Sequence, residues 1–338
     1  MQTPINILWI TDPWSTLDHS KDTTLRLMLE AINIGIPTFW SASDQLFLTS
    51  KPGCILAVEL NKADLPLDLS QSKLVPITLS SFQQIHNRID PPIDQSYCKV
   101  IDDLINAGAK DSQILNPPHL LKNQSEKIPP PDLALYTPRM AVIQKLEDIA
   151  ALEKLFLTDS EVVSKPLHLA QSIGVKKHPA PKNYTDWLKL ITSLTENFTH
   201  EILIEEYLPQ IEQGEVRMWF AGEQFIAALK KYPKSGDFRV LIDEGSKVSA
   251  YTLSREEEKI ATDIGITLKK QGILLAAIDL IGNKICDYNI TSPGLLVQLE
   301  KVHDGKNFAK EILSQALQYH VQKAHESNAE DHSPLLED

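Results

Sequence analysis

The chain has 338 residues, 42% of them hydrophobic, and a formal net charge of −12. That length admits two domains or one large α/β body. The acidic balance argues against a nucleic-acid surface, and no apolar run approaches the length of a membrane span. Cys54, Cys98 and Cys286 are odd in number and widely spaced. They argue for a reducing compartment and against a disulfide framework or a thiolate zinc site. The opening "MQTPINILWITDP" lacks the basic and apolar regions of a signal peptide. A cytoplasmic globular protein is expected.

"INILWIT" (5–11) is a short apolar run read as a strand that ends at Asp12-Pro13. In "TTLRLMLEAINIG", Leu25, Met28, Leu29 and Ile32 repeat with helical spacing, and Gly35 stands where a C-terminal cap belongs. A second strand is expected at 36–40, with strand-like pieces "CILAVEL" and "KLVPITL" beyond it. A helix over 96–107 ends at Gly108. This alternation predicts an N-terminal domain, residues 1–120, on a parallel sheet. Prolines cluster in "NQSEKIPPPDLALYTPR" (123–139) and mark a break. A second domain is expected over 121–322, with a subdomain at roughly 135–205. It should hold a helix (141–156), the strand "EVVSKP", a helix (184–196) and the strand "EILIEEYLP". A hairpin turning at Ala221-Gly222 follows, then a helix with Ser254 and Glu257 as a capping box. A second hairpin turns at Gly282-Asn283, and a last helix spans 306–322. Residues 323–338 read as a disordered acidic tail.

The second hairpin carries the chemistry. Asp287 and Asn289, two apart on a strand, point to one face, and Asp279 on the facing strand can join them. Three oxygen ligands without His or Cys suit Mg²⁺, with Mn²⁺ as a substitute. The competing interpretation is a turn capped by acids that face solvent. Lys127 and Lys165 are natural phosphate partners, although an isolated lysine is usually a solvated surface residue. In "ILIEEYLP" the strand end at Glu205, Glu206, Tyr207 and Leu208 could take adenine through its backbone and ribose through a carboxylate.

From about residue 5 to about 318 the sequence resembles the bacterial glutathione synthetases, a family of ATP-grasp ligases. "TDPWSTLDHSKDTTLRLMLEA" is similar to the family's opening strand and first helix, and "NRIDPPID" to its Arg-Lys-Asp-Pro-Pro-Phe-Asp. "LNPPHLLKNQSEK" resembles its segment ending in Glu-Lys. "EEYLPQIEQGEVR" is similar to its nucleotide hinge and Gly-Asp-x-Arg hairpin, and "DYNITSPG" to its Glu-Ile-Asn-Val-Thr-Ser-Pro.

The resemblance implies an α/β (α+β) protein with an ATP-grasp fold behind an N-terminal parallel-sheet preATP-grasp domain. In such enzymes ATP phosphorylates the C-terminal carboxylate of γ-glutamylcysteine, and glycine attacks the acyl phosphate. Carried over by position, Lys127 and Lys165 contact ATP phosphates. Glu205, Glu206, Tyr207 and Leu208 hold adenine and ribose, and Asp279, Asp287 and Asn289 bind Mg²⁺. Arg217, Lys231 and Arg239 form the catalytic set. Arg88 and Asp90, with Arg239, face the peptide substrate. The partners implied are small molecules, with no nucleic acid and no membrane, and a homo-oligomer stays open.

The chain also departs from the family. Where the family has Asp-Gly-x-Gly-Gly folding over the phosphates, this chain has His168-Leu169-Ala170-Gln171-Ser172. The family's Arg-Gly-Asn is Arg239-Val240-Leu241, and its metal-bridging Glu is Asp287. Three readings follow: a glutathione-forming ligase, a ligase for a less polar acceptor, or a catalytically impaired descendant that binds nucleotide or serves in an assembly. The retained lysines and acids favour chemistry, and the lost glycines favour the third.

Overall fold

The computed structural model describes residues 5–47, 49–61, 69, 73–156, 160–167, 169, 172–242 and 245–330, with side chains through 319. The first sheet has six strands: β1 (Ile7–Thr11), β2 (Thr38–Ala42), β3 (Cys54–Leu60), β4 (Val75–Thr78), β5 (Gln84–Asn87) and β6 (Ile114–Leu115). Their order is β4-β3-β2-β1-β5-β6. α1 (Thr23–Asn33) connects β1 to β2, and α2 (Gln95–Asn106) connects β5 to β6. β1 is buried along its whole length, which is why it reads as an uninterrupted apolar run.

This sheet is mixed rather than parallel. β1, β2, β5 and β6 run parallel, whereas β3 is antiparallel to β2, and β4 to β3. The described residues between β2 and β3 form no crossover helix, and the chain returns antiparallel. The second strand lies at 38–42, two residues beyond its expected place.

α3 (Pro118–Asn123) leads into a four-stranded antiparallel sheet of β7 (Met140–Ile143), β8 (Glu161–Pro166), β9 (Lys176–Pro179) and β10 (Ile202–Glu206), ordered β7-β10-β8-β9. The helix expected over 141–156 is instead β7 followed by α4 (Ile149–Leu155). The Asp148 carboxylate accepts hydrogen bonds from the Gln144 and Lys145 N–H groups, which fixes a non-helical turn between them. α5 (Tyr184–Leu194) packs on this sheet through Trp187 and Ile191.

The third sheet is antiparallel: β11 (Glu215–Ala221), β12 (Gln224–Tyr232), β13 (Lys247–Tyr251), β14 (Leu275–Ile281) and β15 (Lys284–Asn289), in the order β13-β12-β11-β14-β15. The first hairpin turns at Gly222-Glu223, one residue late, and the second at Gly282-Asn283 as expected. α6 (Arg255–Gln271) carries both halves of the capping box between Ser254 and Glu257. α7 (Leu296–Val302) and α8 (Phe308–Glu330) close the chain. α8 enters the segment expected to be disordered. Residues 308–330 contain neither Pro nor Gly and include several good helix formers. The rest of that expected tail, 331–338, lies outside the described residues.

One buried cluster joins Trp9, Trp40, Leu27 and Met28 to Trp219, Leu229, Leu299, Ile312 and Leu313. The first and third sheets therefore share a hydrophobic core through α1, α7 and α8.

Candidate active site

Strand register assembles the centre of the site. Asp279 on β14 lies opposite Arg217 on β11 and opposite Asp287 on β15, while Asn289 faces Ala277. The Arg217 guanidinium grips Asp279 with two bonds, Nε to Oδ1 at 2.8 Å and Nη2 to Oδ2 at 2.6 Å. Lys231 Nζ lies 3.2 Å from the same Oδ2 and also pairs with Glu215. Asn289 Nδ2 donates to Ala277 O and, at 3.3 Å, to Asp279 Oδ2. Burial alone would raise the Asp279 carboxyl, but Arg217 and Lys231 reverse this and hold it at about 2.

The expected metal trio is thus divided. Asp279 is the anchor of a buried ion cluster. Asp287 opens to the cavity, and its Oδ1 is buried without a hydrogen-bond partner. Among the described residues no group of three or more His, Cys, Asp or Glu side chains converges on a metal position. Asp287 with the side-chain oxygen of Asn289 is a two-oxygen donor set. It fits a hard divalent cation that completes its shell with water and phosphate oxygens.

Two lysines converge on this hairpin from other elements. Lys165, at the end of β8, has its Nζ 2.6 Å from Glu205 Oε1 and donates to Cys286 O at 3.2 Å. Burial works against its charge, but the Glu205 and Asp287 carboxylates outweigh it and keep the ammonium protonated above its ordinary range. Lys127 Nζ lies 3.8 Å from Asp287 Oδ1. Lys127, Lys165, Arg217 and Lys231 are matched one for one by Asp287, Glu205, Asp279 and Glu215.

Two side chains with no role assigned from the sequence pin the hairpin. Asn116 donates to Leu275 O and Ile290 O, and its Oδ1 accepts from Leu274 N and Leu275 N. Glu126 Oε1 accepts from Ile290 N, Thr291 N and Thr291 Oγ1, while its carbonyl accepts from Tyr288 N. Lys127 is held beside Asp287 because its neighbour is bonded to the same hairpin. The motif "SEK" marks the position, but only pair geometry shows the clamp.

At the hinge, Glu206 is tied to Arg139, Nε to Oε2 at 2.8 Å. The Glu206 and Tyr207 N–H groups donate to Arg139 O and Glu161 O. The Tyr207 ring lies 4.3 Å from Lys177 Nζ and edge-on to Phe238. Tyr207 and Leu208 line the cavity. Arg239 pairs with Asp237 at 2.9 Å and lines the same space beside Val240 and Leu241.

The loop after β8 is described only in part, because His168, Ala170 and Gln171 lie outside the described residues. Ser172 has φ 58, a left-handed conformation that glycine adopts at little cost. Gly174 has φ 74, and a Cβ there would come within 2.8 Å of Pro166 Cγ, so this position requires glycine.

Arg88 follows β5, with Nε donating to Thr24 Oγ1 and Nη2 to Pro293 O. Asp90 donates its N–H to Asp12 Oδ2. All the site residues predicted from sequence line one cavity of about 720 Å³.

Residues 126–304 match the prokaryotic glutathione synthetase ATP-grasp domain, and residues 5–122 match the N-terminal domain of the same enzymes. The chain belongs to the prokaryotic glutathione synthetase family. It is an ATP-dependent ligase resembling glutathione synthetase. A family member, the glutathione synthetase of Ralstonia nicotianae, is 28% identical over 296 residues, covering 86% of this chain and 88% of that one. The Neisseria meningitidis serogroup A glutathione synthetase is 27% identical, covering 86% and 91%. Among solved structures, a D-cycloserine synthetase superposes with a TM-score of 0.62 at 13% identity, covering 91% of this chain and 100% of that one. D-alanyl-alanine synthetase A from Vibrio cholerae gives 0.60 at 13% identity, covering 95% and 100%. At that identity these neighbours speak for the ATP-grasp fold. Among the described residues no helix is long and apolar enough to cross a membrane.

Proposed function

We propose that this ligase makes glutathione, joining the cysteinyl carboxylate of γ-glutamylcysteine to the amine of glycine through an acyl phosphate made from ATP. The observation that carries the proposal is the cluster in which Lys127, Lys165, Arg217 and Lys231 are each matched by a carboxylate within the same cavity. With formal charges, that lattice is neutral before any nucleotide arrives, so it cannot by itself balance a triphosphate. A divalent cation held by Asp287 and Asn289, Mg²⁺ or Mn²⁺ in its place, would supply the missing positive charge at the phosphates.

In this assignment Tyr207 and Leu208 hold adenine, and Glu205 and Glu206 stay with their cationic partners until ribose arrives. Lys127 and Lys165 bind the phosphates. Arg217 and Lys231, fixed by Asp279, stabilise charge on the transferring phosphoryl group and the acyl phosphate. Arg239 with Arg88 and Asp90 orients the peptide, so that the amine attacks within a bound complex. Residues 1–120 and 121–322 act as the two halves of the machine, with 135–205 as a lid. The reaction takes place in the cytoplasm on small molecules.

Val240, Leu241 and Ile242 line the cavity with hydrocarbon. They favour a second reading, in which the acceptor amine is less polar than glycine. Phosphate release with Mg²⁺-ATP, γ-glutamylcysteine and a panel of amino acids tests both, with the product identified by mass. Glutathione as the main product supports the first reading. Preference for a larger apolar amine moves the assignment to the second, and no product with any acceptor removes both.

A further inference from the structure

The β14–β15 hairpin makes contacts outside the cavity as well as within it. Lys284 opens β15, three residues ahead of Asp287, and does not line the cavity. Its Nζ donates instead to Leu135 O and Thr137 O, both at 3.2 Å. Those carbonyls close a short 3-10 helix, Pro131–Tyr136, and an ammonium there satisfies acceptors that a helix end leaves open. Tyr136, between the two, donates its hydroxyl to Asp263 of α6 at 2.5 Å. Asp132 pairs with Lys270 of the same helix at 2.6 Å.

From this anchor the chain runs straight into the second sheet, and its contacts lead back to the hairpin. The Arg139 N–H donates to Glu206 Oε1, and the Glu206 N–H donates to Arg139 O. Met140, the first residue of β7, lies opposite Glu205 on β10. Glu205 pairs with Lys165 on β8, and Lys165 donates to Cys286 O on β15. The path leaves β15 at Lys284 and returns to it at Cys286, two residues on. This ring crosses between hairpin and second sheet twice, and the two crossings differ in kind. On the reading above, in which Lys165 serves the phosphates, a nucleotide competes with Glu205 and Cys286 O for its ammonium. Lys284 stands outside the cavity, so a bound nucleotide does not compete for it.

We propose that Lys284 is a positioning residue, which pins the base of the second sheet to the hairpin and keeps Lys165 beside Asp287 when nucleotide binds. The role rests on the phosphate assignment of Lys165 given above. Lys165 and Asp287 belong to different sheets, and the pin lies only three residues from Asp287 along β15. A displacement of the second sheet at the pin is therefore felt directly at the phosphates, where a misplacement of about 1 Å can cost on the order of 100-fold in rate.

The test compares the unmodified chain with Lys284→Met, which removes the donors, and Lys284→Arg, which keeps them. Calorimetry reads the affinity for a Mg²⁺-bound non-hydrolysable ATP analogue, and thermal unfolding reads stability. Lys284→Met should bind the analogue about 10-fold more weakly, and Lys284→Arg should recover most of that loss. Lys284 is only partly buried, so the melting temperatures should stay close together. Equal affinity in Lys284→Met overturns the pin, as does a lowered melting temperature with affinity unchanged. A loss that Lys284→Arg does not recover also overturns it, because the two carbonyl bonds are then not the cause. A second measurement needs no variant. In the unmodified chain the analogue should slow amide exchange over 160–167 and leave that over 132–143 unchanged, and a matching change in both overturns the pin. Lys165→Met separates this role from the reading beneath it. If that variant binds the analogue as well as the unmodified chain, or the unmodified chain does not bind it, the phosphate assignment falls and the pin falls with it. If only Lys284→Met binds normally, the phosphate assignment stands and the pin alone is lost.

Discussion

The β14–β15 hairpin and the loop after β8 border the same cavity, and they are built on opposite principles. In the hairpin each polar side chain has a position dictated by strand register, and Asn116 and Glu126 fix it from outside. In the loop the described residues are shaped by local backbone, with the Val175 N–H donating to Ser172 O. Ser172 takes a left-handed conformation without being glycine, and Gly174 is crowded by Pro166. Chemistry anchored by register tolerates drift elsewhere in the sequence. Chemistry that depends on free backbone amides is changed by a few side chains.

The strongest way to break the comparison is to unload the hairpin. Asp279→Asn leaves Arg217 and Lys231 facing each other in a buried site, which should cost about 3–5 kcal/mol of stability in urea denaturation. An unchanged midpoint would show that the cluster is not an anchor. The same group predicts an acid limb. Its carboxyl falls from an ordinary 3.8 to about 2, so its contribution is complete above pH 4 and is lost as pH falls through 2, about 2 kcal/mol in all. Stability measured against pH should lack that limb in Asp279→Asn.

The loop comes next. One oxyanion-type donor can be worth about 3–4 kcal/mol of barrier, so the unmodified chain should bind nucleotide yet turn over slowly. Grafting Asp-Gly-x-Gly-Gly over 168–172 should raise kcat and leave the affinity for ATP nearly unchanged. Turnover at rates ordinary for such ligases in the unmodified chain would show that these glycines are dispensable here.

Asp287→Asn separates the two carboxylates of the hairpin. Stability should change by less than about 1 kcal/mol, while Mg²⁺-ATP affinity drops about 10- to 100-fold. Titration calorimetry at several Mg²⁺ concentrations reads the difference, and equal affinities would return Asp287 to a turn acid. The smallest effect is expected at the hinge. Lys177→Ala removes a partly exposed cation from the Tyr207 face, worth about 0.5–1 kcal/mol, and should weaken ATP binding only a few-fold.

The legibility of the sequence follows the same division. The Gly282-Asn283 turn, the Ser254/Glu257 box and the pairing of Asp279 with Asp287 depend on local spacing, and the sequence shows them. The antiparallel β3 and the strand at Met140–Ile143 depend on partners far along the chain, and a short apolar run does not declare them. In the site, residue types identified the residues that gather in the cavity. They did not show that Arg217 and Lys231 occupy Asp279, or that Glu126 clamps Thr291. Those are contacts between side chains about 50, 60 and 165 positions apart.

The core shared by the first and third sheets sets an order of assembly. Arg26 reaches Glu300 at 2.6 Å, Gln84 donates to Ala316 O, and Trp9 and Trp40 belong to the same buried cluster as Ile312 and Leu313. During synthesis the first sheet must wait, with part of its apolar surface uncovered, until residues beyond 313 have emerged from the ribosome. A nascent chain stopped near residue 122 should bind chaperones and precipitate when released, however complete its strands. The amino-terminal third is thus a domain by sequence similarity and a client by physics.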